Sequence, residues 1–463
     1  MSKKPMYLKR RAGSKVAVLL AFVLFMLVAL YFLPRQKSEP VVEQNFAESV
    51  FQGKVEKIVS PKAELPFYYM HQKGGLTAMS FIFTKAGSAY ERSDNSGVSG
   101  IVAQTLKEGA GWWSAKELRN LMGRSGIKIS FAASKDDFSG QLTFPNEYRE
   151  EAVKYLREML LNPHFEDKYV DNAKASVIKA IEAQKENPAT ELDLAFNQDI
   201  FGNFAYARNP LGDASSVAGL NRRDLISFVH DNLGKNNLLI GVVGNLTAAE
   251  AALMVDDAFS RLPTVTNQDI GEPEINWRKS DLTIQRDIPQ NIMLYAAQGT
   301  CRQCADFYPL YIANYILGGA GLNSRFNQQL RETENLTYGV SSWLELNDKA
   351  DLIVASFSAT TANIARAKEL FKQIWQQAAR EGFTAEELQT AKEYLIASHN
   401  LRFTSTIGIA DMLAYMQKYD LGTDFLHNRN NLIKSVTLQQ LNTAAGNYFN
   451  NDFRVAEIGK INN

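Results

Sequence analysis

Metal or nucleophilic chemistry in this 463-residue chain would have to be built on few residues, among them five histidines and two cysteines. The histidines are His71, His164, His230, His399 and His427. No two are four residues apart, so a helical two-histidine zinc motif is impossible in either orientation. Each reads as a lone surface or core residue. Cys301 and Cys304 stand in TCRQCAD, a C-x-x-C spacing shared with redox motifs. The preceding NIMLYAAQG reads as a strand, yet nothing else suggests a thioredoxin-like unit. The pair is therefore expected as a local structural bridge or two idle thiols. No G-x-x-x-x-G-K-S/T phosphate loop and no G-x-S-x-G nucleophile elbow occurs.

Residues 16–33, VAVLLAFVLFMLVALYFL, follow a basic head carrying Lys3, Lys4, Lys9, Arg10, Arg11 and Lys15. At ~1.5 Å rise per residue the run nearly crosses a ~30 Å hydrocarbon layer. The positive flank (1–15) belongs on the cytoplasmic side, with the body on the other. The run is long and bulky and its FLPRQKSEP exit is poor for cleavage, so an uncleaved anchor is expected rather than a signal peptide. In a bacterial cell this means a single-pass inner-membrane protein with a periplasmic body. Fifty acidic and fifty basic residues cancel, which argues against a nucleic-acid partner.

Beyond a polar linker (34–60) the body repeats. ELRNLMGRSGIKISFAASKDDFSGQLTF runs from a helix into two strands, as does QQLRETENLTYGVSSWLELNDKADLIVASF. Leu118-Arg119 answers Leu330-Arg331 and Leu225 answers Leu441, offsets of 212 and 216 residues; Gly244 answers Gly459. The spacing predicts amphipathic helices in YREEAVKYLREMLLNP, closed by Pro163, and in TAEELQTAKEYLIASHN, where Thr384 and Glu387 form a capping-box pattern. The helix within GVSGIVAQTLKEGAG should bury Val98, Ile101, Val102 and Leu106. These elements predict an α+β chain of two tandem homologous α/β sandwich domains, 61–262 and 289–463, joined by a linker at 263–288.

The duplicated body resembles the pitrilysin/insulinase family of zinc metallopeptidases, on the processing-peptidase side. The likeness covers roughly residues 60–460. It rests on GSAYERSDNSGVSG, on ENPATELDLAFNQDIFGNFAYARNPLGDASSVAGLNRRDLISFV, and above all on LGGAGLNSRFNQQLRETENLTYGVSS. In catalytic members a helix carries His-x-x-Glu-His, with a third zinc ligand, Glu, on a later helix. Under this resemblance the first His falls at Gly100, the Glu at Ala103, the second His at Gln104 and the distal Glu near Ala180, with Glu182 a misaligned neighbour. Glycine and alanine offer no donor and Gln104 is a poor ligand, so this chain should bind no metal and cleave nothing alone.

The resemblance also matches Arg331 and Tyr338, seven residues apart, to a pair that contacts substrate opposite the zinc. A guanidinium suits a peptide carbonyl, and a phenol suits a developing oxyanion. Taken by themselves, Arg331 would pair with Glu332 or Glu334 and Tyr338 would be a strand residue. Gly318, Gly319 and Gly321 form a turn that the resemblance marks as a secondary substrate loop. The implied function is the zinc-less subunit of a heterodimeric periplasmic peptidase: the partner chain holds the zinc, and the substrate is an unfolded peptide. The alternative is a non-enzymatic, membrane-anchored scaffold or peptide-binding protein of the same fold.

Overall fold

Alternating buried and half-buried side chains, as in the Phe138–Pro145 strand, mark sheets with one face on a core and the other against something less apolar. A computed structural model describes residues 53–266, 268–399 and 403–461. The expected anchor at 16–33 lies outside them; among the described residues no helix is long and apolar enough to cross a membrane. The first sheet contains β1 (Val55–Val59), β2 (Pro66–His71), β3 (Leu76–Phe83), β4 (Lys128–Ala133), β5 (Phe138–Pro145) and β6 (Leu238–Gly244), in the order β1-β2-β6-β3-β5-β4. The second contains β7 (Leu282–Gln285), β8 (Gln290–Gln298), β9 (Val340–Glu345), β10 (Leu352–Thr360) and β11 (Phe453–Gly459), in the order β7-β11-β8-β10-β9.

Apart from β1, the two sheets have the same plan. β2 runs parallel to β6 as β7 does to β11, and every other pairing is antiparallel. The repeat seen in the residues is thus a repeat of topology. Gly244 ends β6 and Gly459 ends β11, while Leu225 and Leu441 are both fully buried on equivalent helices.

One face of each sheet packs on helices of its own half, forming two large apolar clusters. The other face is covered by a helix from the opposite half. The Pro188–Phe201 helix puts Leu192, Phe196 and Ile200 against Leu294, Val354 and Ile458 of the second sheet. The Thr406–Lys418 helix puts Ile409, Leu413 and Met416 against Tyr68, Ala78 and Val243 of the first. Each such side chain contributes on the order of 1.5–3 kcal/mol of burial. This reciprocal exchange welds the halves together across the 263–288 segment.

The equivalent hairpin turns also meet. The Asp348 N–H donates to Asp136 Oδ2 at 3.0 Å, and Lys418 Nζ reaches Asp137 (2.5 Å) and Asp348 (3.0 Å). Burial pushes the carboxyls of Asp137 and Asp351 up to about 6, Lys418 drawing Asp137 back down only in part.

Two strands occupy stretches that read as linkers, β1 within 34–60 and β7 within 263–288. Both are short sheet edges; β7 (LTIQ) alternates apolar and polar residues, while β1 (VEKIV) mixes them on both faces. Cys301 and Cys304 are bridged.

Candidate functional site

The Val98–Thr105 helix starts where Gly97 adopts φ +91°, a conformation reserved for glycine here because a Cβ would lie 2.6 Å from the Leu211 carbonyl. The buried Glu91 carboxylate caps it, accepting from the N–H groups of Gly97 and Ser99 at 2.7 Å each. Burial raises the Glu91 pKa, while the bonds from Ser99 and Gly97 oppose the rise. Val98, Ile101, Val102 and Leu106 are fully buried, as their spacing requires. The outward side carries Gly100 and Gln104, with Ala103 buried at its margin. The Asp167–Glu186 helix, which bears the exposed Ala180, packs against this one.

The four positions therefore sit on two touching helices, as a metal site would need, but their side chains do not fit zinc. Two alanines, a glycine and an amide present no imidazole, thiolate or carboxylate donor. Among the described residues no group of three or more His, Cys, Asp or Glu is placed to hold a metal ion. Steric exclusion is not the reason at position 100, where a Cβ would meet nothing within 4 Å.

The equivalent part of the second half is built differently. The Phe307–Asn314 helix continues as a π-turn, Tyr315–Gly319; a 3₁₀ turn, Gly321–Asn323, and a second π-segment, Asn327–Thr333, follow. π-Turns widen a helix locally and are frequent at functional sites. Gly318 is required by close approach: a Cβ there would fall 2.3 Å from Ser342 Oγ of β9. Gly319 borders a large cavity between the halves, and Gly321 takes φ +58° at the exposed tip of the turn.

Most of the SRF and LRE residues hold this segment in place. Ser324 Oγ donates to the Gly321 carbonyl, Arg325 makes a two-pronged pair with Glu387 (2.6 and 2.7 Å), and Phe326 stacks on Phe371. Leu330 is fully buried. The buried Asn327 is the central stitch. Its amide donates to the carbonyls of Val340 (2.6 Å) and Gly321 (2.8 Å), and its Oδ1 accepts from the Val340 N–H at 3.0 Å. Asn314 adds a bond to the Ser342 carbonyl. Neither asparagine stands out by motif; the available signal was a polar residue on the buried side of a helix, three residues before Leu330.

Arg331 and Tyr338 take no part in this packing and, like Glu332 between them, have side chains turned outward. Arg331 is 40% exposed and pairs with Glu332, Nε to Oε1 at 3.2 Å. Tyr338 is 78% exposed and lies on a bend before β9, not in the strand where its sequence places it. Asn335, just beyond the π-segment, takes φ +54°, and β9 begins only at Val340, two residues after Tyr338. The two side chains share no hydrogen bond. Neither lines the cavity, and neither do Gly100, Ala103 or Gln104.

Known families and structures match this chain. The family model described as Insulinase (Peptidase family M16) matches residues 69–214, and the one described as Peptidase M16 inactive domain matches residues 219–395. A Helicobacter pylori protein named non-peptidase homolog YmxG is 25% identical over 386 residues, covering 82% of this chain and 88% of that protein. A Bacillus subtilis protein, named an uncharacterized zinc protease YmxG, is 22% identical over 389 residues, covering 82% of this chain and 93% of its own. A crystal structure titled as a peptidase M16 inactive domain from Pseudomonas fluorescens superposes with a TM-score of 0.80 at 22% identity. It covers 88% of this chain and 98% of that one, which establishes the shared fold.

Proposed function

We propose, from the premise that this chain belongs to the insulinase family of peptidases (M16), that it is the zinc-free subunit of a two-chain peptidase. A partner of the same family holds the zinc and the general base. This chain supplies Arg331 and Tyr338 to the shared site, the first to a substrate carbonyl and the second to the oxyanion that forms on it. The turn of Gly318, Gly319 and Gly321 borders the path of an unfolded peptide. The observation that carries the reading is a contrast within one chain. The three would-be zinc-ligand positions and the would-be base position carry no imidazole or carboxylate, while Arg331 and Tyr338 both keep solvent-facing side chains.

In this reading the 16–33 run anchors the chain in the inner membrane and the body works in the periplasm. The Cys301–Cys304 bridge supports an oxidising compartment. The second reading, a scaffold or peptide-holding protein, is favoured by one contact. Arg331 already has a carboxylate neighbour in Glu332 and needs no substrate to satisfy it. Mixing decides between them. Purified alone, this chain should carry far less than one zinc per molecule and cleave no unfolded peptide; added to a zinc-bearing family member from the same cell, it should raise cleavage at least tenfold. A stable complex without any gain in cleavage would select the scaffold.

A further inference from the structure

The cavity between the halves, about 1230 Å³, is walled by β3–β5 of the first sheet on one side and by second-half elements on the other. Its largest polar anomaly is Arg302, 7% exposed and part of the lining. The guanidinium lies over Phe307 (4.1 Å to the ring centre), Tyr308 (5.3 Å) and Phe425 (5.3 Å). Its Nε donates to the Tyr415 hydroxyl at 3.0 Å and one terminal nitrogen to the Tyr308 hydroxyl at 3.3 Å. Among the described residues no carboxylate stands within ion-pair distance of it. Aromatic faces and two phenols soften a buried cation, but a buried charge without counter-charge is a standing cost that an anion would relieve.

Arg302 sits inside the C-x-x-C turn. The Cys301–Cys304 bridge closes the turn, the Cys304 N–H donates to the Cys301 carbonyl at 3.1 Å, and the Phe307 N–H donates to the Cys304 carbonyl at 3.0 Å. The backbone that carries the guanidinium is thereby tied to the start of the Phe307–Asn314 helix. The other charged groups on the wall are Arg429, which donates to the Leu395 carbonyl, and Asp411, whose carboxylate accepts from the Gln141 amide at 2.8 and 2.9 Å. Phe131, Tyr311 and Trp343 give the remaining wall an apolar, aromatic character.

We propose that the disulfide-tied turn presents Arg302 as an anchor for the carboxylate of an apolar ligand, the free C-terminus of a peptide. A guanidinium fork matches a carboxylate in two parallel bonds. The volume exceeds the roughly 300–1,000 Å³ of small-molecule pockets, which favours a peptide end over a compact acid. The site is separate from Arg331 and Tyr338, and its failure would leave the proposed function standing.

The test uses the full oxidised chain and an N-terminally labelled hexapeptide ending in phenylalanine, followed by fluorescence anisotropy. The free acid should bind at least tenfold more tightly than its C-terminal amide. Arg302→Gln should abolish that preference, Arg302→Lys should keep part of it, and the Cys301→Ser, Cys304→Ser double variant should reduce it several-fold. Equal binding of acid and amide to the unaltered chain overturns the proposal, and so does a preference that survives Arg302→Gln. If Arg302→Gln fails to fold, the acid–amide comparison on the unaltered chain decides. Displacement by 3-phenylpropionate at concentrations near the peptide's own Kd would assign the site to a small acid and overturn the peptide end; displacement only at far higher concentrations supports it.

Discussion

The Val98–Thr105 helix and the segment from Phe307 to Thr333 follow equivalent strands of one repeated plan, yet they have been put to opposite uses. The first is a plain helix whose outward positions, Gly100 and Gln104, lead to nothing built. The second departs from α-geometry twice and spends two buried asparagines on tying its turns to β9. Polar side chains are buried at a cost unless they are satisfied, so such stitching marks a segment whose exact shape matters. The comparison teaches that equivalent positions of one plan can be a plain packed helix in one half and a stitched, irregular segment in the other.

The most drastic way to sharpen this contrast is to place donors at the positions that lack them. The triple change Gly100→His, Gln104→His and Ala180→Glu should convert a chain carrying almost no zinc into one that takes up about one equivalent, read by metal analysis after dialysis. No uptake would mean that the two helices no longer hold the old geometry. Next in size, Asn327→Ala removes the side-chain partner of the Val340 N–H and carbonyl and should cost about 1–3 kcal/mol in urea unfolding. A loss below measurement would break the claim that this segment is actively held.

The seam between the halves has its own signature. Asp137 and Asp351 titrate near 6 in the fold and near 3.9 when unfolded. The folded chain therefore binds more protons between those values, and their contribution to stability falls as pH rises through about 4 to 6. Asp351→Asn should flatten that fall by on the order of 1 kcal/mol, half-exposure having already weakened the effect. A steeper fall in the variant would contradict the assignment. The smallest effect is at position 100. Gly100→Ala fills open space in a helix and should stabilise by about 0.5–1 kcal/mol, visible as a raised melting temperature. Destabilisation would show that the glycine still has a structural task.

Much of the fold was legible because periodicity reports burial. Val98, Ile101, Val102 and Leu106 are buried as spaced, and Thr384 with Glu387 forms the capping box that their separation announces. The repeat was visible in single landmarks such as Gly244 and Gly459, since both end a strand of the same rank. β1 and β7 were not legible, because edge strands this short carry little pattern. Nor was the exchange of helices, since a helix shows which of its faces is apolar but not which sheet will cover it. Tyr338 was misplaced by the same logic. A β-forming residue beside a strand looks like part of it, yet β9 begins only at Val340. At the candidate site, residue types identified the missing donors, whereas the stitching by Asn327 depends on backbone groups that sequence does not display.

The account rests most heavily on Arg331 and Tyr338, and the direct measurement is made on the assembled pair of chains. The Arg331→Ala, Tyr338→Phe double variant should bind the zinc-bearing partner with unchanged affinity and fold with unchanged stability. Its kcat on an unfolded peptide should fall at least about a hundredfold, the scale of losing an oxyanion donor. A complex of the double variant that cleaves at the full rate would contradict the account.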